Sequence, residues 1–291
     1  MLPFPQYQFI DSGSLGSSSV LGMAPSLFLH LRSFTAEDSF LRRRWISGFL
    51  SEPSVRETFT WLYTNSSNQS SLINLLSCGD YLFPDPLGLL YGFTDDIIET
   101  LNSFSSCALE YLTPFYVDLL SRSELLAQPA SKLLSPLTIL CRLIFYPPFE
   151  GAKYADLGYR ANEHVDPSVF TLLADQSSPG LQYQPDTNWI DYLHSSDQSL
   201  LMLGQWGSWL NPLASKPLNH RVVFNSSAEA RFSLQVFFLG NLNFILEAEN
   251  CSGSNHTNLL HKLNQSFKDK YLNYVPHSRW DSWSPYRPYR S

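Results

Sequence analysis

From about residue 137 onward the apolar residues come in short runs, rich in β-branched and aromatic side chains. Residues 140–146, 169–174, 199–203, 221–224 and 232–239 are such runs. Turn-forming stretches at 176–180 and 225–228 separate them. A run this short cannot bury itself. Several of them at this spacing must pair into a sandwich, a barrel or a jelly roll. The part of the chain before them reads mainly as helical. Thr35-Ala36-Glu37-Asp38 resembles a capping box, with Asp where Glu is preferred, and leads into Phe40, Leu41, Ile46 and Phe49 at helical spacing. The clearest helix runs from 95 to 112, with Ile97, Ile98, Leu101, Phe104, Ala108 and Leu112 on one stripe and Pro114 after it. The expected fold class is mainly β with N-terminal helices. The expected organisation is a mainly helical region over 1–135, a jelly-roll catalytic domain over 136–250, and a basic aromatic tail over 251–291 that packs on that domain.

Composition narrows the function classes. The chain has 291 residues, 44% hydrophobic and 15% charged, so it is no disordered chain. No unbroken apolar stretch is long enough for a membrane span, which excludes an obvious transmembrane helix and predicts no membrane partner. A net charge of -7 argues against general nucleic-acid binding. The charge is uneven: residues 261–291 hold 6 Lys+Arg against 2 Asp+Glu, beside Tyr271, Tyr274, Trp280, Trp283, Tyr286 and Tyr289. Such a tail is expected to lay its rings on the parent domain. The triplet Arg42, Arg43, Arg44 reads as a solvated face. Cys78, Cys107, Cys141 and Cys251 form no CxxC pair and are expected to be buried free thiols in a reducing cytoplasm. Residues 1–11 lack a basic n-region, so no secretory signal is expected. The Asn-x-Ser/Thr sequons, at Asn65 and five later positions, are read as chance in a Ser- and Asn-rich chain.

One constellation carries chemistry. His164-Val165-Asp166 is a His-x-Asp pair. On a strand, residues i and i+2 share a face, so the pair can offer an imidazole and a carboxylate to one ion. His220 follows well downstream, beside a predicted strand. Two His and one carboxylate form a facial triad that leaves the opposite side of a metal open. His194, in a polar loop, is the weaker rival ligand. Arg231-Phe232-Ser233 comes shortly after His220, at the start of a strand-like run. A guanidinium and a hydroxyl on one strand face can grip a carboxylate, such as the distal one of 2-oxoglutarate. Trp206 and Trp209 are expected in the core or the pocket wall.

In order and spacing these residues resemble the isopenicillin N synthase-like group of iron(II)/2-oxoglutarate dioxygenases. The resemblance rests on His164-Val-Asp166, Phe170-Thr-Leu-Leu173, Gly180-Leu-Gln-Tyr183, Trp189-Ile-Asp191, His220-Arg-Val222 and Arg231-Phe-Ser233. Arg142 to Pro148 and Phe9-Ile-Asp11 look like two further family segments. It covers residues 138–240 well and the N-terminal half loosely. It implies a double-stranded β-helix, Fe(II) held by His164, Asp166 and His220, and a cosubstrate carboxylate held by Arg231, Ser233 and Tyr146. The implied activity uses dioxygen to hydroxylate, desaturate or cyclise a small-molecule substrate, with no catalytic residue beyond the metal ligands. An oxidase that dispenses with 2-oxoglutarate and a non-catalytic jelly-roll binding protein are the alternatives. The chain departs from the family pattern at Ile144, where Asn is usual, at Val165, where Thr is usual, and at Met202-Leu-Gly-Gln205, where Asn-x-Gly-Asp is usual.

Overall fold

A computed structural model describes residues 4–11, 13, 15–36, 57–66, 69–71, 94–122, 133–134, 136–148, 159–195, 197–211, 215–224 and 229–241. The elements are β1 (Tyr7–Asp11), α1 (Ser17–Ala36), β2 (Glu57–Ser66), β3 (Gln69–Ser71) and α2 (Asp95–Ser121), then β4 (Leu137–Tyr146), β5 (Tyr159–His164), β6 (Phe170–Gln176), β7 (Leu181–Gln184) and β8 (Ile190–Asp191). They end with β9 (Gln198–Leu203), α3 (Gln205–Leu210), β10 (Asn219–Val223) and β11 (Arg231–Gly240). All five expected strand runs are strands. The seven-stranded sheet has the order β1-β9-β6-β11-β4-β2-β3, and the four-stranded sheet β5-β10-β7-β8. Every pairing is antiparallel. The two sheets form a double-stranded β-helix.

The larger sheet is buried on both faces. Strand β4, beside the central β11, buries nine of ten side chains, which is why its sequence is apolar on both faces, Thr138 and Arg142 apart, rather than alternating. One face packs under α1 and α2, where Phe59, Trp61, Ile139, Cys141, Leu143, Phe170, Leu172, Leu234, Val236 and Phe238 join the helices in one core. The other face looks into the roll. There Ile144, Tyr146, Leu173, Leu200 and Met202 meet Leu181, Tyr183 and Val222 of the smaller sheet.

The N-terminal region carries its two helices and also contributes strands. β1 and β2 are full members of the large sheet, β1 on β9 and β2 along the length of β4. Neither strand is among the expected runs, although in β2 the buried Phe59, Trp61 and Tyr63 alternate with Thr58, Thr60 and Thr64, the pattern of a half-buried strand. The turn resembling a capping box also sits differently: Thr35 and Ala36 end α1 rather than start a helix. Phe40, Leu41, Ile46, Phe49 and the Arg42–Arg44 triplet lie outside the described residues, as does the 251–291 tail. Helix α2 runs through Pro114 to Ser121. Proline inside a helix removes a backbone bond and usually stops it. Here the buried stripe continues past it through Tyr116, Leu119 and Leu120, and this packing outweighs the lost bond. Asp95 and Asp96 in the first turn favour the helix N-terminus electrostatically.

Of the thiols, Cys141 is buried and Cys107 is exposed on α2, so the expectation of burial fails for Cys107; Cys78 and Cys251 lie outside the described residues. Burial pushes the Cys141 thiol up to about 12. Cys141 neighbours a small polar cluster between α2 and the sheet. Trp61 Nε1 donates to Ser105 Oγ at 2.9 Å, and Ser105 Oγ donates to the Leu101 carbonyl at 2.6 Å. Both residues are fully enclosed. Ser105→Ala would strand the indole N–H in the core, so it should cost about 1–3 kcal/mol by denaturant unfolding. An unfolding midpoint equal to the parent's would contradict this account of the cluster.

Among the described residues no helix is long and apolar enough to cross a membrane.

Candidate metal centre

β5 and β10 run side by side with His164 and His220 as direct cross-strand partners. Their rings meet at 4.3 Å between centroids. Strand β5 ends at His164, and Pro167, which has no N–H to continue a ladder, follows two residues after Val165. Asp166 is therefore in the turn rather than on the strand. The i, i+2 argument placed it on a strand; the turn brings it to the same place. Its carboxylate lies between the two rings, Oδ1 at 3.6 Å from His164 Nε2 and Oδ2 at 3.5 Å from His220 Nε2. The three donor atoms lie within 4.8 Å of one another.

The tautomers suit a cation. His164 Nδ1 lies 2.7 Å from the Asn162 carbonyl, and His220 Nδ1 lies 3.3 Å from the Leu218 carbonyl. A carbonyl can only accept, so each Nδ1 carries the proton and each Nε2 presents a lone pair to the centre. One carboxylate and two neutral imidazoles form the donor set typical of non-haem iron. Burial is graded. The His220 and Asp166 side chains are 4% and 8% exposed, while His164 is 44% exposed. The ion would rest on a buried floor with one side facing outward.

Asp166 is also held from behind. Gln205, Trp206 and Gly204 donate their backbone N–H groups to the carbonyls of Asp166, Ser168 and Val169 at 2.8, 2.9 and 3.0 Å. The start of α3 thus clamps the turn that carries the carboxylate. A Cβ on Gly204 would lie 2.2 Å from the Ser168 carbonyl oxygen, and one on Gly207 would lie 2.4 Å from that of Val169. Reading the sequence missed this clamp. The retained glycine of Met202-Leu-Gly-Gln205 was its only visible sign.

A second polar group lies deeper in the roll. Arg231 and Ser233 project from one face of β11, both fully enclosed. Arg231 Nε donates to the Ser178 carbonyl at 3.0 Å, and Nη2 donates to Gln176 Oε1 at 2.5 Å. Its carbon CZ sits 4.9 Å from the centre of the Tyr146 ring. Burial lowers the Arg231 pKa, and Tyr146 opposes the shift. Arg231 Nη1 and Ser233 Oγ are buried without a hydrogen-bond partner. Buried polar atoms are nearly always satisfied, so two orphaned donors side by side fit a carboxylate. Tyr146 is buried under the guanidinium rather than placed elsewhere in the core.

His194 is not part of the cluster. It pairs with Asp175 at 3.1 Å. Trp206 is completely buried in the outer core, and Trp209 packs at its edge.

Residues 138–240 match the model of the 2OG-Fe(II) oxygenase superfamily. This segment is similar to that superfamily. The chain is similar to a 2-oxoglutarate-Fe(II) type oxidoreductase of Aspergillus fumigatus, at 27% identity over 181 residues, 59% of this chain and 50% of that protein. It is also similar to the 1-aminocyclopropane-1-carboxylate oxidase homolog 3 of Arabidopsis thaliana, at 30% identity over 94 residues, 32% of this chain and 25% of the relative. The chain thus spans half or less of the length of these two relatives. Among solved structures, a full-length Neurospora crassa protein in complex with alpha-ketoglutarate matches with a TM-score of 0.57 at 16% identity, covering 90% of this chain and 87% of that one. The dioxygenase for auxin oxidation 1 of Arabidopsis thaliana, in a complex with 2-oxoglutarate, matches at 0.52 and 14% identity, covering 81% and 84%. The structural likenesses show the fold, and the triad turn and the Arg231 strand both lie inside the segment that the family model matches.

Proposed function

We propose that the chain is an Fe(II)- and 2-oxoglutarate-dependent oxygenase that oxidises a small organic molecule. One observation carries the reading. A His-Asp-His donor set stands at the outward end of the roll, and two orphaned donors, Arg231 Nη1 and Ser233 Oγ, stand deeper in the same roll. A five-carbon 2-oxo diacid has a chelating end for the first and a carboxylate for the second. Bound iron supplies the chemistry that couples decarboxylation of the 2-oxo acid to oxidation of a C–H bond with dioxygen.

The chain's own residues do the rest. His164, Asp166 and His220 hold the metal, and the carbonyls of Asn162 and Leu218 keep both imidazoles in the metal-binding tautomer. Arg231 and Ser233 hold the distal carboxylate, with Tyr146 beneath the guanidinium. The apolar lining from Ile144, Leu173, Leu200 and Met202 excludes water from the buried end. The half-exposed side at His164 is where substrate enters. No other side chain has to act as an acid, base or nucleophile.

Anaerobic addition of Fe(II) and 2-oxoglutarate should give a weak visible charge-transfer band. Arg231→Met should weaken 2-oxoglutarate binding by about 10- to 100-fold, the worth of a charge-assisted contact in a dry site. A protein that binds iron stoichiometrically but gives no band refutes the cosubstrate assignment.

A second reading follows from Ile144. It puts an aliphatic side chain in the roll beside Tyr146, where the isopenicillin N synthase-like pattern has Asn. An oxidase of that type would use Arg231 and Ser233 for the substrate's own carboxylate. Turnover without succinate release would favour it.

A further inference from the structure

The roll contains a second buried guanidinium that the family pattern does not include. Arg160 lies on β5, four residues before His164, and is 3% exposed. The β5–β10 register shifts twice between His164 and Tyr159, and Arg160 lies at the second shift. Its carbon CZ sits 5.7 Å from the centre of the Tyr146 ring, the ring that also carries Arg231 on β11. The Phe224 ring lies 5.3 Å away. Arg160 Nη1 donates to the Pro147 carbonyl at 2.8 Å, which fixes the head. Its Nε and Nη2 are buried and have no hydrogen-bond partner.

Which atoms are open matters. Nε–H and Nη2–H project from the same edge of a guanidinium, parallel and spaced to meet both oxygens of a carboxylate. On Arg231 that edge is taken by the Ser178 carbonyl and Gln176. Arg231 therefore cannot use it to give the two-pronged grip expected from the sequence. Its one nitrogen without any partner is Nη1. On Arg160 the whole edge is open. Among the described residues no carboxylate pairs with either arginine. The two cations repel each other, and burial lowers the pKa of both. Arg160 Nε and Nη2, Arg231 Nη1 and Ser233 Oγ are four buried polar atoms without a partner, and the two guanidinium heads both lie against the Tyr146 ring. A carboxylate has about four acceptor positions.

We propose that Arg160 supplies the two-pronged grip on the distal carboxylate of the 2-oxo acid, with Arg231 Nη1 and Ser233 Oγ completing the cradle. This rests on the cosubstrate reading above. It makes Arg160 a binding residue and sets the preference of the site for a dicarboxylate over a monocarboxylate.

The test compares 2-oxoglutarate with 2-oxopentanoate, in which a methyl group replaces the distal carboxylate. Binding is measured calorimetrically and anaerobically on the Mn(II)-loaded full chain, without turnover. The parent protein should strongly prefer 2-oxoglutarate. Arg160→Met keeps the aliphatic stem against Tyr146 and Phe224. It should weaken 2-oxoglutarate by about 10- to 100-fold and leave 2-oxopentanoate unchanged. Arg160→Lys keeps the charge but not the parallel edge, and should recover only part of the loss. Mn(II) affinity serves as the check on folding in both variants. Unchanged 2-oxoglutarate binding in Arg160→Met overturns the proposal, as does an equal loss for both acids, which would mark a structural role. If the parent protein itself does not distinguish the two acids, the cosubstrate reading has failed, and the proposal fails with it.

Discussion

Asp166→Ala should remove metal binding while leaving the fold intact. The carboxylate is the one anionic donor in the centre, and its two oxygens reach toward different histidines at 3.6 and 3.5 Å. Without it, two neutral imidazoles remain, one of them 44% exposed. They cannot offset the dehydration of a divalent ion. Even the loss of an outer hydrogen-bond partner commonly costs about 10- to 100-fold in metal affinity. Loss of the charged ligand itself should exceed about 100-fold and abolish turnover. The fold should tolerate the change. The clamp on the turn uses the Asp166 backbone carbonyl, not its side chain. The stability of the metal-free variant should thus stay within about 1 kcal/mol of the parent's. Metal content after anaerobic reconstitution decides the matter. A stoichiometric ion in the Asp166→Ala protein would remove this residue from the ligand set.

The sequence made some of these residues legible and concealed others for physical reasons. Strands β4, β6, β9 and β11 announce themselves because each is a run buried on both faces or nearly so, while β10 alternates buried His220 and Val222 with half-buried neighbours. β2 carries a different signal, the alternation of Phe59, Trp61 and Tyr63 with Thr58, Thr60 and Thr64, which a search for apolar runs passes over. Strands β5, β7 and β8 are short or polar on one face. The donor set was visible as a pair plus a distant His, yet no local rule could show that His164 and His220 face each other across a strand pair. Several segments behind the family resemblance turn out to hold the small sheet together. Arg221 donates to Gln182 and to Tyr159 at 2.7 and 2.9 Å, and its CZ lies 3.9 Å from the Trp189 ring centre. Gln182 in turn donates to Asp191 at 2.9 Å. Those positions are recognisable because they lock β7, β8 and β10 around His220. Arg160 was invisible from the sequence. It is one arginine in a polar strand, and only burial and its open edge set it apart.

Gly204→Ala and Gly22→Ala make the same chemical change and should move stability in opposite directions. At Gly204 the backbone has ordinary extended angles, φ -88° and ψ 174°, so no torsional rule demands glycine. Space does. The added methyl would lie 2.2 Å from the Ser168 carbonyl oxygen and 2.5 Å from Ser168 Oγ. The first of these is backbone, and it accepts the Trp206 N–H at 2.9 Å. Relief requires α3 to move away from residues 166–169, which breaks the hydrogen bonds that hold the Asp166 turn. A cost of about 3 kcal/mol is expected, the upper range for overpacking, and Asp166 should lose its fixed position. Gly204→Ala should therefore lower both the unfolding midpoint and the metal affinity, although it touches no ligand. At Gly22, on the exposed side of α1, nothing lies within 4 Å of the added methyl. There Ala should stabilise by about 0.5–1 kcal/mol, because the unfolded chain loses freedom and the helix gains propensity. Chemical denaturation with and without Mn(II) reads both effects. If Gly204→Ala kept full metal affinity after losing stability, α3 would be supporting the core alone. The position of Asp166 would then be set by β5 and Pro167 instead.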